Sequence, residues 1–164
     1  MVKTPDALVR RVQSVRARLS DGPVRTRPVE RDFENVSVPL PDCDCLRDAL
    51  VAQGAGVVIE VGLAYASSAL AIAEALLTAG RDDPRHIVID PFQFSSFTGV
   101  GWEALCAAGV EHQTTLIVEP SSVALARLLG DGVSADAAFV DGSHRFHEVF
   151  VDLSSFESSC ARGA

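Results

Sequence analysis

The sequence predicts an α/β protein, with a parallel sheet of four successive strand–helix units preceded by a helical appendage. Three observations carry this. Short apolar runs of strand length recur at Val57 to Ile59, His86 to Asp90, Thr114 to Glu119 and Ala137 to Asp141. Between them lie stretches with apolar residues at helical spacing, and such alternation implies parallel strands joined by right-handed crossovers. Each run also ends at or near an acid, namely Glu60, Asp90, Glu119 and Asp141. Four acids at one sheet edge are harder to explain as solubilising residues than one would be, because ligands of open α/β sheets bind at that edge.

The first helix is read from Thr4-Pro5-Asp6, with Thr4 as cap and proline at the first helical position. Leu8, Val12, Val15 and Leu19 then share one face. Ser20-Asp21-Gly22-Pro23 ends it, and Pro23, Pro28, Pro39 and Pro41 mark an irregular connection. Asp42 is expected to cap a second helix carrying Leu46, Ala49 and Leu50, stopped by Gly54 and Gly56. Residues 1–55 thus form a helical and irregular segment, 56–153 the α/β domain, and 154–164 an irregular tail.

The first strand, Val57-Val58-Ile59, is apolar and β-branched, as expected of a strand covered on both faces. Glu60 interrupts the run, Gly62 permits a sharp turn, and Ser67 or Ser68 is expected to cap the helix from Ser68 to Ala79, which Gly80 ends. Pro91 closes the second strand. A helix over Gly101 to Ala108 follows, then the third strand, then a helix carrying Leu125, Leu128 and Leu129 with Ser121 or Ser122 as cap. After the fourth strand, Gly142-Ser143-His144 leads into a helix whose Phe146, Val149, Phe150 and Leu153 are expected to face the core.

Hydrophobic residues make up 48% and charged residues 22% of the 164, which is ordinary for a folded domain. No apolar run approaches a membrane span of about 20 residues, and the first residues lack a secretion signal, so a cytoplasmic location is expected. Four cysteines at 43, 45, 106 and 160 lack the spacing of a zinc site or disulfide framework, and reduced thiols are expected. The net charge is −8, yet the first 31 residues hold eight Lys/Arg against three Asp/Glu. We read this as a basic helix packing on its own acidic domain, with no nucleic-acid or membrane partner.

The carboxylate at Glu60, the side-chain-poor turn and the following helix start make a cradle of nucleotide type. The stretches Glu60-Val61-Gly62 with Ala64 and Ala66, Ile89-Asp90-Pro91-Phe92, and Phe139-Val140-Asp141-Gly142-Ser143-His144 together resemble the class I S-adenosylmethionine-dependent methyltransferases, in the O-methyltransferase-like branch called methyltransferase domain 24. The resemblance spans roughly Val57 to Leu153 and implies a Rossmann-like fold. It implies that Glu60, Gly62, Ala64 and Tyr65 line the methionine half of the donor, and that Asp90, with Pro91 behind it, receives the two ribose hydroxyls. Ser121 and Ser122 would lie at the adenine edge, or serve only as helix caps. Asp141 would line the donor site and act in catalysis, holding a Mg²⁺ ion in metal-dependent relatives, with His144 as general base or second ligand. His144 and Asp141 have an alternative reading as residues of the next helix start. His147 reads as ordinary surface, and His86 and His112 receive no functional assignment.

A complete member of that class has seven strands, so the resemblance implies that the last strands are lacking and the fourth strand is left as an exposed edge. The expected activity is methyl transfer to a small hydroxylated acceptor, with an inactive donor-binding or interaction module as the alternative. A dinucleotide enzyme is disfavoured, because Gly62-Leu63-Ala64-Tyr65-Ala66 lacks the glycines of G-x-G-x-x-G. A homo-oligomer, or a completing partner at the free edge, is the expected association.

Overall fold

The computed structural model describes residues 5–22 and 33–160, so the expected Thr4 cap, Pro23, Pro28 and residues 161–164 lie outside the described residues. Strands β1 (Val57–Val61), β2 (Arg85–Ile89), β3 (Thr114–Ile117) and β4 (Ala137–Val140) form one parallel sheet in the order β3-β2-β1-β4. The helices are α1 (Pro5–Ser20), α2 (Phe33–Val36), α3 (Leu40–Gln53), α4 (Ser67–Ala79), α5 (Val100–Ala108), α6 (Ser121–Gly130) and α7 (Phe146–Cys160), with a short 3-10 turn at Glu111–Gln113 before β3. This is the Rossmann-like arrangement that the alternation predicts, with β4 at one edge of the sheet.

Side chains alternate across the strands, as the pleat requires. Ile59, Val61, Ile87, Ile89 and Ile117 pack on one face with Leu125 of α6 and Phe156 of α7. Val88 on the other face joins Leu8, Val12 and Val15 of α1, Leu70 of α4 and Leu105 of α5. Val58 packs with Leu50 of α3 and with Ile72 and Leu76 of α4. Helix α4 is buried nearly all round, which explains why its sequence carries almost no charge.

Its one charge is the buried Glu74, and that residue ties the appendage to the body. Arg16 of α1 donates to Glu74 and, at 2.7 Å, to Asp44 of α3, while Gln13 Nε2 donates to Glu74 Oε1 at 2.8 Å. A buried carboxylate needs such partners to offset its desolvation. The basic first helix therefore does pack on its own acidic domain, at least through Arg16.

Register along the free edge is set by one carboxylate. Asp136 Oδ2 accepts the backbone N–H of Gly56 at 2.7 Å and of Val57 at 2.8 Å, fixing the start of β4 beside the start of β1. Those two N–H donors hold the Asp136 carboxyl below the usual carboxylate range.

Several local expectations fail for identifiable reasons. Helix α3 starts at Leu40 with Pro39 as its cap residue, because two prolines suit a helix start, so Asp42 lies in the first turn and is no cap. Ala66 and Pro120 occupy the cap positions of α4 and α6 without any side-chain cap bond, so Ser67, Ser68, Ser121 and Ser122 are not caps. Glu60 does not end β1 but lies within it. Helix α7 runs on to Cys160, so 154–160 is helical where an irregular tail was expected. Its inner face is also rotated from the expected one. Asp152 and Phe156 are buried, whereas Phe146 (83% exposed), Phe150 and Leu153 face outward. Periodicity detects an apolar stripe but does not say which neighbour covers it.

Candidate functional site

The strand ends at the carboxyl edge are joined by backbone bonds. Gly62 N–H donates to Ile89 O at 2.9 Å, Asp90 N–H to Ile117 O at 3.0 Å, and Asp141 N–H to Val61 O at 2.9 Å. The three loops after β1, β2 and β4 therefore start from one rigid line. Gly62 has φ +98°, and a Cβ there would come within 2.5 Å of Asp141 O. Only glycine fits both the conformation and the neighbour. The turn seen in the sequence thus serves the contact between two loops as well as the bend.

Beyond Gly62 the loop is held by Asp90, which is 4% exposed. Its Oδ2 accepts the N–H groups of Leu63 and Ala64, each at 3.0 Å, and its Oδ1 accepts the N–H of Phe92 at 2.8 Å. A carboxylate has about four acceptor sites, so these bonds leave Oδ1 room for one more donor. Pro91 places Phe92 for that last bond. Ala64 at φ +43° and Ala66 at φ +69° adopt the left-handed backbone that a glycine-rich loop would use, here without glycine. Tyr65 is buried, its ring edge-on to Phe33 at 5.0 Å and to Phe97 at 5.5 Å, so its side chain forms part of the wall of the loop.

Glu60 lies behind this loop and is fully buried. Ser68 Oγ donates to its Oε1 at 2.5 Å, and His86 Nε2 stands 2.9 Å from its Oε2. Beside it runs a cleft lined by Ser37, Val38, Pro39 and Leu40 at the entry to α3, by Arg16 and Leu19 of α1, and by Ser67 at the start of α4. Ser37 Oγ is buried there with no hydrogen-bond partner among the described residues. Cys43 also lines the cleft, and its thiol is pushed up to about 11, chiefly by burial, with Arg16 opposing and the Glu60 charge adding.

On the β4 side, Asp141 is exposed, its side chain 39% accessible, and partial desolvation raises its carboxyl above the usual range while His144 pulls the other way. His144 Nε2 stands 3.8 Å from Asp141 Oδ1, and its side chain is 88% exposed. Ser143 Oγ accepts the Arg145 N–H at 3.2 Å, so the serine organises the entry to α7 and Asp141 does not. His147 is exposed, as expected. Ser121 lies at the start of α6, where its hydroxyl opposes the raised pKa that burial gives Asp152.

No group of three His, Cys, Asp or Glu side chains among the described residues is placed to hold a metal ion. Among the described residues Asp141 is the one carboxylate of the expected metal position, with His144 Nε2 3.8 Å from it, so no preformed cage of protein ligands is built there. None of the helices among the described residues is long and apolar enough to cross a membrane.

The structure brings Glu60, Gly62, Ala64, Tyr65, Asp90 and Pro91 together around the β1 and β2 loops, with Asp141 against Gly62. Ser121 opens α6 beside Asp152, and His144 is the exposed neighbour of Asp141. Two buried polar side chains have no counterpart in the sequence reading. His86 is a strand residue facing Glu60, a position that the β-strand period gives once Glu60 is recognised as part of β1. Gln93, also fully buried, has neither amide atom hydrogen-bonded among the described residues and lies beside Gly101. Nothing in the local sequence signals its burial.

Comparison with known families finds one match, a methyltransferase domain, over residues 59–164. No curated protein matches the sequence. Solved structures that resemble the chain include the O-methyltransferase TomG of Streptomyces achromogenes, involved in tomaymycin synthesis and bound to S-adenosylmethionine, with 22% identity and a TM-score of 0.69 over 90% of this chain and 67% of that one. An O-methyltransferase of Bacillus cereus bound to S-adenosylhomocysteine has 13% identity and a TM-score of 0.65, over 93% of this chain and 70% of its own. A methyltransferase of Podospora anserina bound to S-adenosylhomocysteine has 21% identity and a TM-score of 0.61, over 92% of this chain and 57% of its own. The chain thus spans between somewhat over half and about two thirds of the length of these proteins.

Proposed function

Given that the chain belongs to the methyltransferase-domain family and carries its fold, we propose that it binds S-adenosylmethionine at the β1–β2 loops and serves methyl transfer to a hydroxyl of a small molecule. The observation that carries this reading is Asp90, a buried carboxylate at the end of β2. It organises the β1 loop through two N–H groups and keeps one acceptor position on Oδ1. In this reading that position takes a ribose hydroxyl, one bond rather than the two that a free carboxylate would offer. Gly62 and the Ala64-Tyr65 backbone leave the loop thin enough for close approach. The amino-acid end of the donor occupies the cleft between Ser37 and Ser67, where the first turn of α4 favours a carboxylate. Ser121 borders the adenine.

When bound, the donor supplies an electrophilic methyl group on a sulfonium. His144 would be the group to take the acceptor's hydroxyl proton, with the Asp141 carboxylate 3.8 Å from its Nε2 favouring the imidazolium by charge.

Calorimetric titration with S-adenosylmethionine tests the binding half of this reading. Saturable one-site binding that Asp90→Ala abolishes is expected, and absence of heat at millimolar donor would overturn it. A donor-binding module without turnover is the second reading, favoured by the exposure of His144. Release of S-adenosylhomocysteine in the presence of hydroxylated acceptors separates the two.

A further inference from the structure

Glu60 is a problem for any account of the site that has it touch the ligand directly, because it is 0% exposed, and so is His86. One buried carboxylate oxygen is bonded by Ser68, the other faces the imidazole at 2.9 Å, and the ring N–H is not aimed squarely enough for a hydrogen bond. A buried carboxylate held by one hydroxyl alone is costly, and among the described side chains only His86 stands at ion-pair distance from it. His86 cannot turn away cheaply either. Its strand is held in register on both sides, Val58 opposite on β1 and Thr114 opposite on β3, which fixes the face of the sheet on which the buried ring lies.

The chain of contacts has a direction. His86 meets Glu60 Oε2, Glu60 Oε1 meets Ser68 Oγ, and Ser68 stands in the first turn of α4 next to Ser67, which lines the cleft. The carboxylate charge is felt on the cleft wall, since it helps to raise the Cys43 thiol. We propose that His86 is a positioning residue for the methyl-donor site. It fixes the Glu60 carboxylate, and through Ser68 it fixes the first turn of α4 against the amino-acid end of the donor. This rests on the donor-binding reading above. The imidazole touches neither donor nor acceptor. Its influence falls on the methionine half of the ligand and spares the adenosine half, which is held from Asp90 on the other side of the loop.

The test compares two ligands by calorimetry, S-adenosylmethionine and methylthioadenosine, the latter lacking the amino-acid end. His86→Leu is expected to weaken the first by about tenfold or more and the second by less than about twofold. His86→Gln, which keeps an N–H donor near the Nε2 position, is expected to recover most of the loss. In a Glu60→Gln background, His86→Leu is expected to cost little further, because residues acting through one another are not additive. Should His86→Leu alone fail to fold, the comparison of Glu60→Gln with the double variant, together with His86→Gln, carries the test. Unchanged donor affinity in His86→Leu, equal losses for the two ligands, or full additivity with Glu60→Gln would each overturn the inference. A wild-type chain that binds neither ligand would overturn the donor-binding reading first and this inference with it.

Discussion

Gly62 and Asp141 are packed backbone to backbone, so tightly that a methyl group on Gly62 would lie 2.5 Å from the Asp141 carbonyl oxygen. The loops after β1 and β4 therefore cannot move independently. Gly62→Ala forces both a left-handed alanine and a backbone shift, and is expected to cost at least about 2 kcal/mol in urea unfolding. Gly80→Ala is the control. It has φ +63° but nothing within 4 Å of the added carbon, and about 1 kcal/mol is expected.

Arg16 carries the attachment of α1. Arg16→Met leaves the buried Glu74 with only the more distant Arg47, 3.7 Å away, and a loss of about 2–4 kcal/mol is expected by chemical denaturation. Combining it with Glu74→Leu should restore much of that loss, since the buried carboxylate and its main cation are removed together. A single variant as stable as the parent would show that the ion pair does not hold the helix.

Asp90 separates loop order from charge. Asp90→Asn keeps the shape but turns one acceptor oxygen into a donor facing backbone N–H groups. Donor affinity is expected to fall by about tenfold to a hundredfold in calorimetry, in line with losing hydrogen bonds to a charged group. Fluorescence or near-ultraviolet spectra should show the loop disturbed as well.

Asp141 and Asp152 both have carboxyl groups raised by burial. The folded chain therefore holds protons on them more firmly than the unfolded chain does. Their contribution favours folding below the ordinary carboxylate range and is lost as pH rises through the raised value. Asp141→Asn removes its share of this loss, so the melting temperature of the variant should rise relative to the parent between pH 3 and 7. Asp136 works in the opposite sense, because its lowered carboxyl stabilises above the ordinary range and that contribution is lost on acidification. Thermal scans of Asp136→Asn should therefore show a deficit at neutral pH that closes at low pH.

The outer face of α7 presents Phe146 stacked on Phe150 at 6.0 Å, with Val151 and Leu153 nearby, beside the edge strand β4. An apolar face next to an edge strand is the kind of surface on which chains associate, and self-association is the outcome we propose. The 164-residue chain alone is expected to elute above monomer size, and Phe150→Glu with Leu153→Lys should shift it to monomer. A monomeric parent at tens of micromolar would refute this.

The strands and their order of appearance are readable because a covered parallel sheet leaves a strong apolar period in the sequence, and Asp90 and Asp141 do follow their strands, whereas Glu60 of the expected acidic edge lies inside β1. The free position of β4 followed from the resemblance. The caps were not readable. Serines before α4 and α6 looked like caps, yet backbone geometry at Ala66 and Pro120 starts those helices without them, freeing Ser68 for Glu60. Asp90 was legible as a site residue but not as the organiser of the loop, since its partners are N–H groups 26 and 27 residues away. The role of His86 is not legible in the sequence, because it depends on a neighbour across the sheet that only the register reveals.

The chain has one tyrosine, and it is the one lodged in the β1 loop between Phe33 and Phe97. A molecule with a lone phenol at its candidate binding loop carries its own optical reporter. Any rearrangement there, by ligand, variant or acid, will register in tyrosine absorbance and near-ultraviolet circular dichroism without a label, and the single Trp102 on α5 gives a second wavelength for the layer behind it.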